Sequence, residues 1–323
     1  MALHRARWKG WFANGLLLLA SIVLFAAVAE GAARIAFPDW RWYWSQGFLY
    51  FDHATGTYAG RKNYRGRLTN VFGEYNVAIH LDGEGFRNPE GAGKATDSLV
   101  FFGDSFGFGL GVAYEDIYSS IAARSLGRDF VNYSLPGTDL SDYLLVARAH
   151  QDRARGRVVV VAVTIENDML SYPPPAAIGT HRSMSVRNFA FKIALGDSAL
   201  LSVIGSVLRR SPAVVALVHR LGFTPSVPSD VGGLEKVESS VAMLAAFQDQ
   251  IKARRLIIVI VPPRPEFGLQ EEYRLFAQKL QEQKFEVVDP GIQPGDFFPK
   301  DGHWTPEAHK RVGQLILRKL KSR

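Results

Sequence analysis

The sequence contains no cysteine, and it also lacks long charge blocks, internal repeats and low-complexity tracts. Without cysteine the chain can form no disulfide, no thiolate metal site and no cysteine nucleophile, and it has no acceptor for a lipoprotein-type lipid anchor. With 47% hydrophobic residues and no biased tract, disorder is a poor interpretation. The length of 323 residues suits one large domain with additions.

Positively charged residues are only in modest excess over negatively charged ones. Lysine and arginine number 38 against 31 acidic residues, which gives a net charge of +7. The basic residues are scattered in short clusters, without a basic stripe or interleaved aromatic residues, so we expect no nucleic-acid partner. An anionic membrane surface or an acidic glycan remains compatible with this charge.

An uncharged run near the amino terminus predicts a membrane segment. It covers Leu16 to Ala29 and extends back through Trp11, which approaches the ~20 residues needed to cross a bilayer. The flanking charges predict an amino terminus inside the cell and an exported, periplasmic or extracellular body. These charges are Arg5, Arg7 and Lys9 before the run and Glu30, Arg34, Asp39 and Arg41 after it. We therefore predict a tail and signal anchor over residues 1–40.

Two alternatives to a retained anchor remain for this segment. The sequence Ala-Val-Ala before Glu30 is a candidate site for signal-peptide cleavage, which would also export the body. A buried amphipathic helix is disfavoured because no polar residue recurs at helical spacing. Aromatic residues on both sides either form interfacial belts or belong to the core of the body, and they are Trp8, Trp11, Trp40, Trp42, Tyr43 and Trp44.

Short apolar runs that alternate with helical patterns predict an α/β domain over residues 98–323. Five runs are β-branched or aromatic and too short for helices. They are Leu99 to Phe102, Phe130 to Leu135, Val158 to Ile165, Leu256 to Val261 and Phe285 to Val288. Ligands bind beyond the carboxyl ends of such parallel strands, so the residues after each run are the candidates for chemistry.

A lead-in before this domain and an insertion within it are also predicted. Turn residues between short alternating stretches, such as Tyr75 to Leu81, predict a small β-rich lead-in over residues 41–97. A helical insertion at about 171–237 offers two apolar stretches, Phe189 to Leu208 and Val214 to Leu221, that form either a lid or a helical layer away from the site. At the end of the chain, Thr305 and Pro306 predict the start of the last helix.

Two Gly-Asp-Ser triplets occur in the sequence. Ser105 follows the first strand on a glycine-flanked exit that would expose its hydroxyl group. Ser198 lies within a helical pattern with no strand before it, so we predict a structural role for it. Gly137 follows the second strand and can present its N–H to a ligand, and Asn167 follows the third and can donate to a developing oxyanion.

Asp301 and His303 precede the last helix and predict an orienting pair. In an extended segment residues two apart point to the same side, so the carboxylate should reach the imidazole. Asp296 is a weaker candidate for the orienting carboxylate. The other histidines show no paired metal-ligand spacing, and we predict no metal and no cofactor.

Together these motifs resemble the SGNH, or GDSL, hydrolase superfamily. Its blocks are a Gly-Asp-Ser serine, a glycine, an asparagine and a carboxyl-terminal Asp/His pair, matched here by Ser105, Gly137, Asn167, Asp301 and His303. The resemblance implies a flavodoxin-like three-layer α/β/α fold with a five-stranded parallel sheet. It also implies a Ser105, His303, Asp301 triad, with Ser105, Gly137 and Asn167 forming the oxyanion hole. Gly85-Phe86-Arg87 resembles a stretch found in membrane-anchored bacterial members.

Two features complicate this resemblance. The superfamily usually spaces its pair as D-x-x-H, whereas D-x-H here resembles polysaccharide O-acetyltransferase relatives. Gly103 to Gly107 also satisfies the G-x-S-x-G elbow of α/β-hydrolases, but that fold places several strands before its serine.

The motifs predict a membrane-anchored serine esterase that acts on ester-linked acyl groups of a lipid or an O-acetylated glycan through an acyl-serine. One alternative is a polysaccharide O-acyltransferase with the same triad, which needs a membrane partner protein to deliver the acyl donor. Another is a non-catalytic glycan-binding or assembly protein.

Overall fold

The structure is a computed structural model that describes residues 2–43, 47–178, 198–208 and 232–322. Within this part the strands are β1 (Leu49–Asp52), β2 (Thr57–Gly60), β3 (Arg65–Thr69), β4 (Asn76–His80), β5 (Leu99–Phe102), β6 (Phe130–Asn132), β7 (Val158–Thr164), β8 (Arg255–Val261) and β9 (Glu286–Val288). The α-helices are α1 (Ala2–Ala36), α2 (Trp40–Tyr43), α3 (Ser105–Phe108), α4 (Tyr118–Leu126), α5 (Leu140–Ala149), α6 (Gln151–Ala154), α7 (Ile165–Asp168), α8 (Ala199–Leu208), α9 (Gly233–Ile251), α10 (Gln270–Glu282) and α11 (Pro306–Lys321). Short 3-10 helices cover Tyr114–Asp116, Pro175–Ala177 and Pro265–Phe267.

Five strands form one parallel sheet in the order β6-β5-β7-β8-β9. Numbered along the chain this order is 2-1-3-4-5, the flavodoxin-like arrangement. Successive residues of each strand point to opposite faces, where α5, α9 and α10 cover one side and α4 and α11 the other. The central strand β7 is buried along its whole length, as expected for a sheet covered on both faces. The predicted three-layer α/β/α fold is confirmed.

The strand limits differ from prediction mainly in β6, which ends at Asn132 instead of Leu135. The side-chain oxygen of Asn132 accepts a hydrogen bond from the N–H of Ser134 at 3.1 Å, and this turns the chain out of regular strand geometry. The segment after β6 still runs beside the segment after β5, because the N–H of Leu135 donates to the backbone oxygen of Gly103 at 3.1 Å. The limits of β7, β8 and β9 differ from the predicted ones by one residue.

The lead-in folds as two antiparallel hairpins, β1 with β2 and β3 with β4. Side chains of Phe48 and Leu81 are buried in the same core as the sheet, and Phe48 stacks on Phe108 with ring centroids 5.2 Å apart. The lead-in therefore packs directly against the segment that follows the first strand of the main sheet.

Helix α1 contains one stretch, Asn14–Ala36, that is long and apolar enough to cross a membrane. Nearly all of it is exposed, unlike a core helix, and its composition suits either a span or an export signal. Of the aromatic residues predicted as belts, Trp11 is exposed, whereas Trp40 is buried against Ala33 and Ala199. Trp44 and the side chain of Trp8 lie outside the described residues.

The insertion is described only in part. Helix α8 is the end of the predicted stretch Phe189 to Leu208, and it packs mainly against α1 and α2. The predicted helix Val214 to Leu221 lies outside the described residues. The lid and the additional helical layer both stay predictions for the insertion as a whole.

Candidate active site

Ser105 lies directly beyond the carboxyl end of β5, as the first residue of α3. The preceding Asp104 caps this short helix, with its carboxylate accepting a hydrogen bond from the N–H of Phe106 at 2.9 Å. Ser105 is 7% exposed. The strand end and the cap therefore fix the serine at the edge of the sheet where ligands bind in this class of fold.

His303 faces Ser105 across 198 positions of the chain. Its Nε2 atom lies 2.8 Å from the hydroxyl oxygen of Ser105, and its Nδ1 atom contacts a carboxylate oxygen of Asp301. The side chain of Asp301 is almost fully buried, and that of His303 is 22% exposed. The structure thus joins hydroxyl, imidazole and carboxylate in one chain of contacts, as the motifs predict.

The local geometry of this pair differs from the predicted extended segment. Gly302 adopts a left-handed conformation, with φ of 82°, and the chain turns between Asp301 and His303. A Cβ atom at Gly302 would lie 2.0 Å from the guanidinium of Arg264, so the position has no room for a side chain unless Arg264 moves. The prediction of an extended segment was wrong, and a glycine turn brings carboxylate and imidazole together instead.

Asp301 also has partners in the lead-in that the motifs did not indicate. The hydroxyl group of Tyr75 donates to the second carboxylate oxygen of Asp301 at 2.9 Å. The carboxylate of Glu74 accepts from the backbone N–H of Lys300 at 2.6 Å and from that of Asp301 at 2.8 Å. The loop between β3 and β4 therefore holds both the side chain and the backbone of Asp301.

Asn167 lies in α7, at the carboxyl end of β7, and its amide donates to Asp104 at 2.8 Å. An asparagine amide carries two N–H donors, so the second stays available for a ligand oxygen. Gly137 is exposed in the turn after β6, with φ of 78°. Its assignment as an oxyanion donor stays a prediction.

One buried carboxyl group, that of Asp104, contacts Asn167, and a second, that of Asp168, follows it in the chain. Burial raises the pKa of Asp104, while hydrogen bonds from Asn167 and Phe106 act in the opposite direction. Burial also raises the pKa of Asp168, which accepts from the N–H of Thr164 at 2.8 Å. Asp104 is the middle residue of the Gly-Asp-Ser motif. Its contacts with Asn167 and Phe106 were not predicted from the sequence, although the motif itself marked the residue.

Arg87 gives the Gly85-Phe86-Arg87 stretch a structural role. Its guanidinium is buried and donates to the backbone oxygen of Gly109 at 2.7 Å and of Val112 at 2.8 Å. Burial lowers its pKa to about 10. Arg87 therefore holds the loop that follows the helix of Ser105.

A second histidine lies buried behind the site. His309 in α11 stacks on Tyr118 and meets the edge of Trp304, with centroid distances of 5.7 Å in both cases. Burial lowers its pKa to about 3, and the nearby Arg87 and His303 act in the same direction. The imidazole is therefore held neutral inside the protein at ordinary pH.

The other candidate carboxylate, Asp296, and the second Gly-Asp-Ser serine, Ser198, have partners away from His303. Asp296 forms an ion pair with Arg311, which leaves Asp301 as the carboxylate in contact with His303. Ser198 contacts Glu30 of α1, a structural role as predicted. The context also disfavours the elbow alternative, because Ser105 follows the first strand of the parallel sheet along the chain, whereas the α/β-hydrolase fold places several strands before its serine. Within the described ranges, no group of three or more histidine or acidic side chains could hold a metal ion.

Comparison with solved structures finds esterases and G-D-S-L proteins. A protein assigned to the G-D-S-L lipolytic family from Desulfitobacterium hafniense DCB-2 is 15% identical, with a TM-score of 0.36, over 69% of this chain and 99% of that one. Est24, a carbohydrate acetylesterase from Sinorhizobium meliloti, is 18% identical, with a TM-score of 0.35, over 70% and 98%. Axe2, an acetylxylan esterase from Geobacillus stearothermophilus, is 14% identical, with a TM-score of 0.38, over 71% and 96%. No protein-family model matches the chain, and no curated protein matches it significantly.

Proposed function

We propose that this protein is a serine esterase of the SGNH type, which hydrolyses ester-linked acyl groups through an acyl-serine on Ser105. The observation that carries the proposal is the contact of His303 with Ser105 through Nε2, at 2.8 Å, and with Asp301 through Nδ1. This arrangement of nucleophile, base and orienting group is the general signature of an activated serine.

The first half of the reaction forms the acyl-enzyme. Nε2 of His303 takes the proton of Ser105 while the serine oxygen attacks the ester carbonyl carbon. Asp301 accepts from Nδ1–H, which keeps the basic nitrogen directed at the serine and stabilises the imidazolium. His303 then gives the proton to the leaving alcohol oxygen as the bond between carbonyl carbon and alcohol breaks.

The oxyanion of the tetrahedral intermediate needs N–H donors. We assign this role to the backbone N–H of Ser105 and Gly137 and to the second N–H of Asn167. Asp104 fixes the amide of Asn167 by accepting its first N–H. In the second half His303 deprotonates a water molecule, whose oxygen attacks the acyl carbon of the acyl-serine. The imidazolium then returns the proton to the oxygen of Ser105 as the bond between that oxygen and the acyl carbon breaks and the acid leaves.

We place the reaction outside the cytoplasm, at a membrane. The apolar stretch of α1 supports an anchor or an export signal, and the flanking charges favour an inside amino terminus. Surface acyl groups, on a lipid or an O-acetylated glycan, are the proposed substrates. The D-x-H spacing also makes transfer to a sugar hydroxyl worth measuring, with an acyl donor that a membrane partner would supply.

Turnover of p-nitrophenyl esters of increasing acyl length by the full chain in detergent tests this proposal. We expect release of p-nitrophenol that Ser105→Ala abolishes, and Ser198→Ala is the matched control because it alters the other Gly-Asp-Ser serine. Hydrolysis that persists in Ser105→Ala would refute the assignment. Faster release on addition of a glycan acceptor, with acylated glycan as product, would identify transfer, whereas no turnover of any ester would favour the binding role.

A further inference from the structure

Four of the six large aliphatic side chains of α8 are exposed, whereas its fully buried residues are all small; Leu200 is partly buried against α1 and α2. Ala199, Ser202 and Ser206 are buried. The outward face consists of four large residues that are between 41% and 46% exposed, and these are Leu201, Ile204, Val207 and Leu208. A surface helix of a domain in water shows the opposite arrangement, with its aliphatic stripe facing the core.

This inverted pattern is typical of helices that pack in lipid. Small residues at four-residue spacing, here Ser202 and Ser206, let helix backbones approach one another where no aqueous driving force exists. The ten residues of α8 include no charged side chain. Large aliphatic groups on its outer face would then contact acyl chains instead of water.

Helix α8 is fixed to the candidate span by its first turn. The carboxylate of Glu30 in α1 accepts from the hydroxyl of Ser198 at 2.8 Å, from the N–H of Ala199 at 2.9 Å and from that of Leu200 at 3.0 Å. These contacts satisfy N–H groups that a helix start leaves without partners. The start of α8 is thus joined to α1 near the end of the candidate span.

The position of Glu30 sets the depth of this contact. Glu30 lies six residues before Ala36, the end of α1, which corresponds to about 9 Å along the helix axis. Helices that lie in the membrane interface bury their apolar face about 5–10 Å deep. With a length of about 15 Å, α8 is too short to cross the bilayer but suits this zone.

Basic and aromatic groups lie next to this contact. Arg34 pairs with Glu30 at 2.7 Å, and the guanidinium groups of Arg34 and Arg41 lie over the ring of Trp40. Arginine and tryptophan are enriched where a protein leaves the hydrocarbon for the headgroups.

From these observations we infer that α8 is a second membrane-contacting element, whose face of Leu201, Ile204, Val207 and Leu208 inserts among the lipid acyl chains beside α1. The lipid that contacts this face belongs to the leaflet next to the body of the protein. Two contacts, α1 and α8, restrict rotation of the body about the span, whereas α1 alone would leave it free to turn.

The absence of cysteine allows a direct measurement. The full chain carrying Ile204→Cys is labelled with an NBD fluorophore and placed in nanodiscs of phosphatidylcholine and phosphatidylglycerol, with or without doxyl-labelled lipid. We expect the doxyl lipid to reduce the emission at this position, and aqueous iodide to have little effect. Leu18→Cys, within the span, is the positive control, and Leu234→Cys, an exposed apolar position in α9, is the negative control.

The outcomes separate this inference from the anchor and from catalysis. Lipid quenching at Leu18→Cys without quenching at Ile204→Cys overturns the inference and keeps the anchor. Quenching at neither position overturns both. A disulfide between two copies of unlabelled Ile204→Cys, together with no lipid quenching of the labelled protein, identifies a dimer interface and also overturns the inference. Val207→Cys repeats the measurement if Ile204→Cys does not fold, and ester turnover of the labelled protein is recorded separately.

Discussion

Replacing Tyr75 by phenylalanine removes one hydroxyl group and leaves the ring in place. That hydroxyl donates to the carboxylate of Asp301, and the ring packs against Phe298 at a centroid distance of 5.3 Å. A hydrogen bond to a charged group contributes about 1.5–3 kcal/mol. If this hydrogen bond stabilises the protein only in the transition state, when His303 is an imidazolium, its loss lowers kcat about 10- to 100-fold.

Because Tyr75 acts through Asp301 and not on the substrate, we expect kcat to fall while KM stays unchanged. Kinetics on a p-nitrophenyl ester measure both, and thermal unfolding shows whether the fold persists. Tyr64→Phe is the matched control, because this tyrosine belongs to the same lead-in and packs on Phe48.

A double-mutant cycle with Asp301→Asn distinguishes positioning from general destabilisation. If Tyr75 works by holding Asp301, Tyr75→Phe should cost little once the carboxylate is gone. Full additivity of the two losses, or wild-type kcat in Tyr75→Phe alone, would refute the reasoning.

Three further changes test other parts of the site. Asn167→Ala should lower kcat about 10²- to 10³-fold without unfolding the protein, and unchanged turnover would remove it from the oxyanion hole. Gly302→Ala places a Cβ against Arg264 at a backbone with positive φ, so we expect kcat to fall through displacement of the Asp301 contact, and wild-type kinetics would contradict this. His309 has a pKa of about 3 in the folded protein and 6.5 as its reference value, so the unfolded chain binds the extra proton and stability is lost as pH falls from about 6.5 towards 3. Urea unfolding of the wild type should lose about 2 kcal/mol more than His309→Gln between pH 7.5 and pH 5, and parallel pH profiles would oppose the assignment.

The main sheet could be predicted because its signals are local. Each buried strand is a short β-branched or aromatic run. Thr305 and Pro306 predict the start of the last helix, and α11 begins at Pro306 with Thr305 as its N-cap. The order of strands brings the ends of distant segments to one edge, so the topology predicts that Ser105 and His303 lie on the same side of the sheet.

The parts that escaped prediction depend on packing between distant segments. Tyr75 precedes Asp301 by 226 positions and lies in the loop between β3 and β4, and no local pattern marks a tyrosine that will reach a particular carboxylate. The lack of room for a side chain at Gly302 comes from Arg264, which follows the end of another strand. The start of α8 depends on Glu30, a residue that the sequence presented only as the end of an apolar run.

Labelling of the full chain with a fluorophosphonate, followed by peptide mass spectrometry, tests most directly whether His303 activates Ser105. Such probes phosphonylate a serine only when a neighbouring base removes its proton. We predict one adduct, on Ser105, that is lost in His303→Gln, with Ser198 unmodified in both proteins. An unmodified Ser105, or labelling of Ser105 that persists unchanged in His303→Gln, would contradict the account.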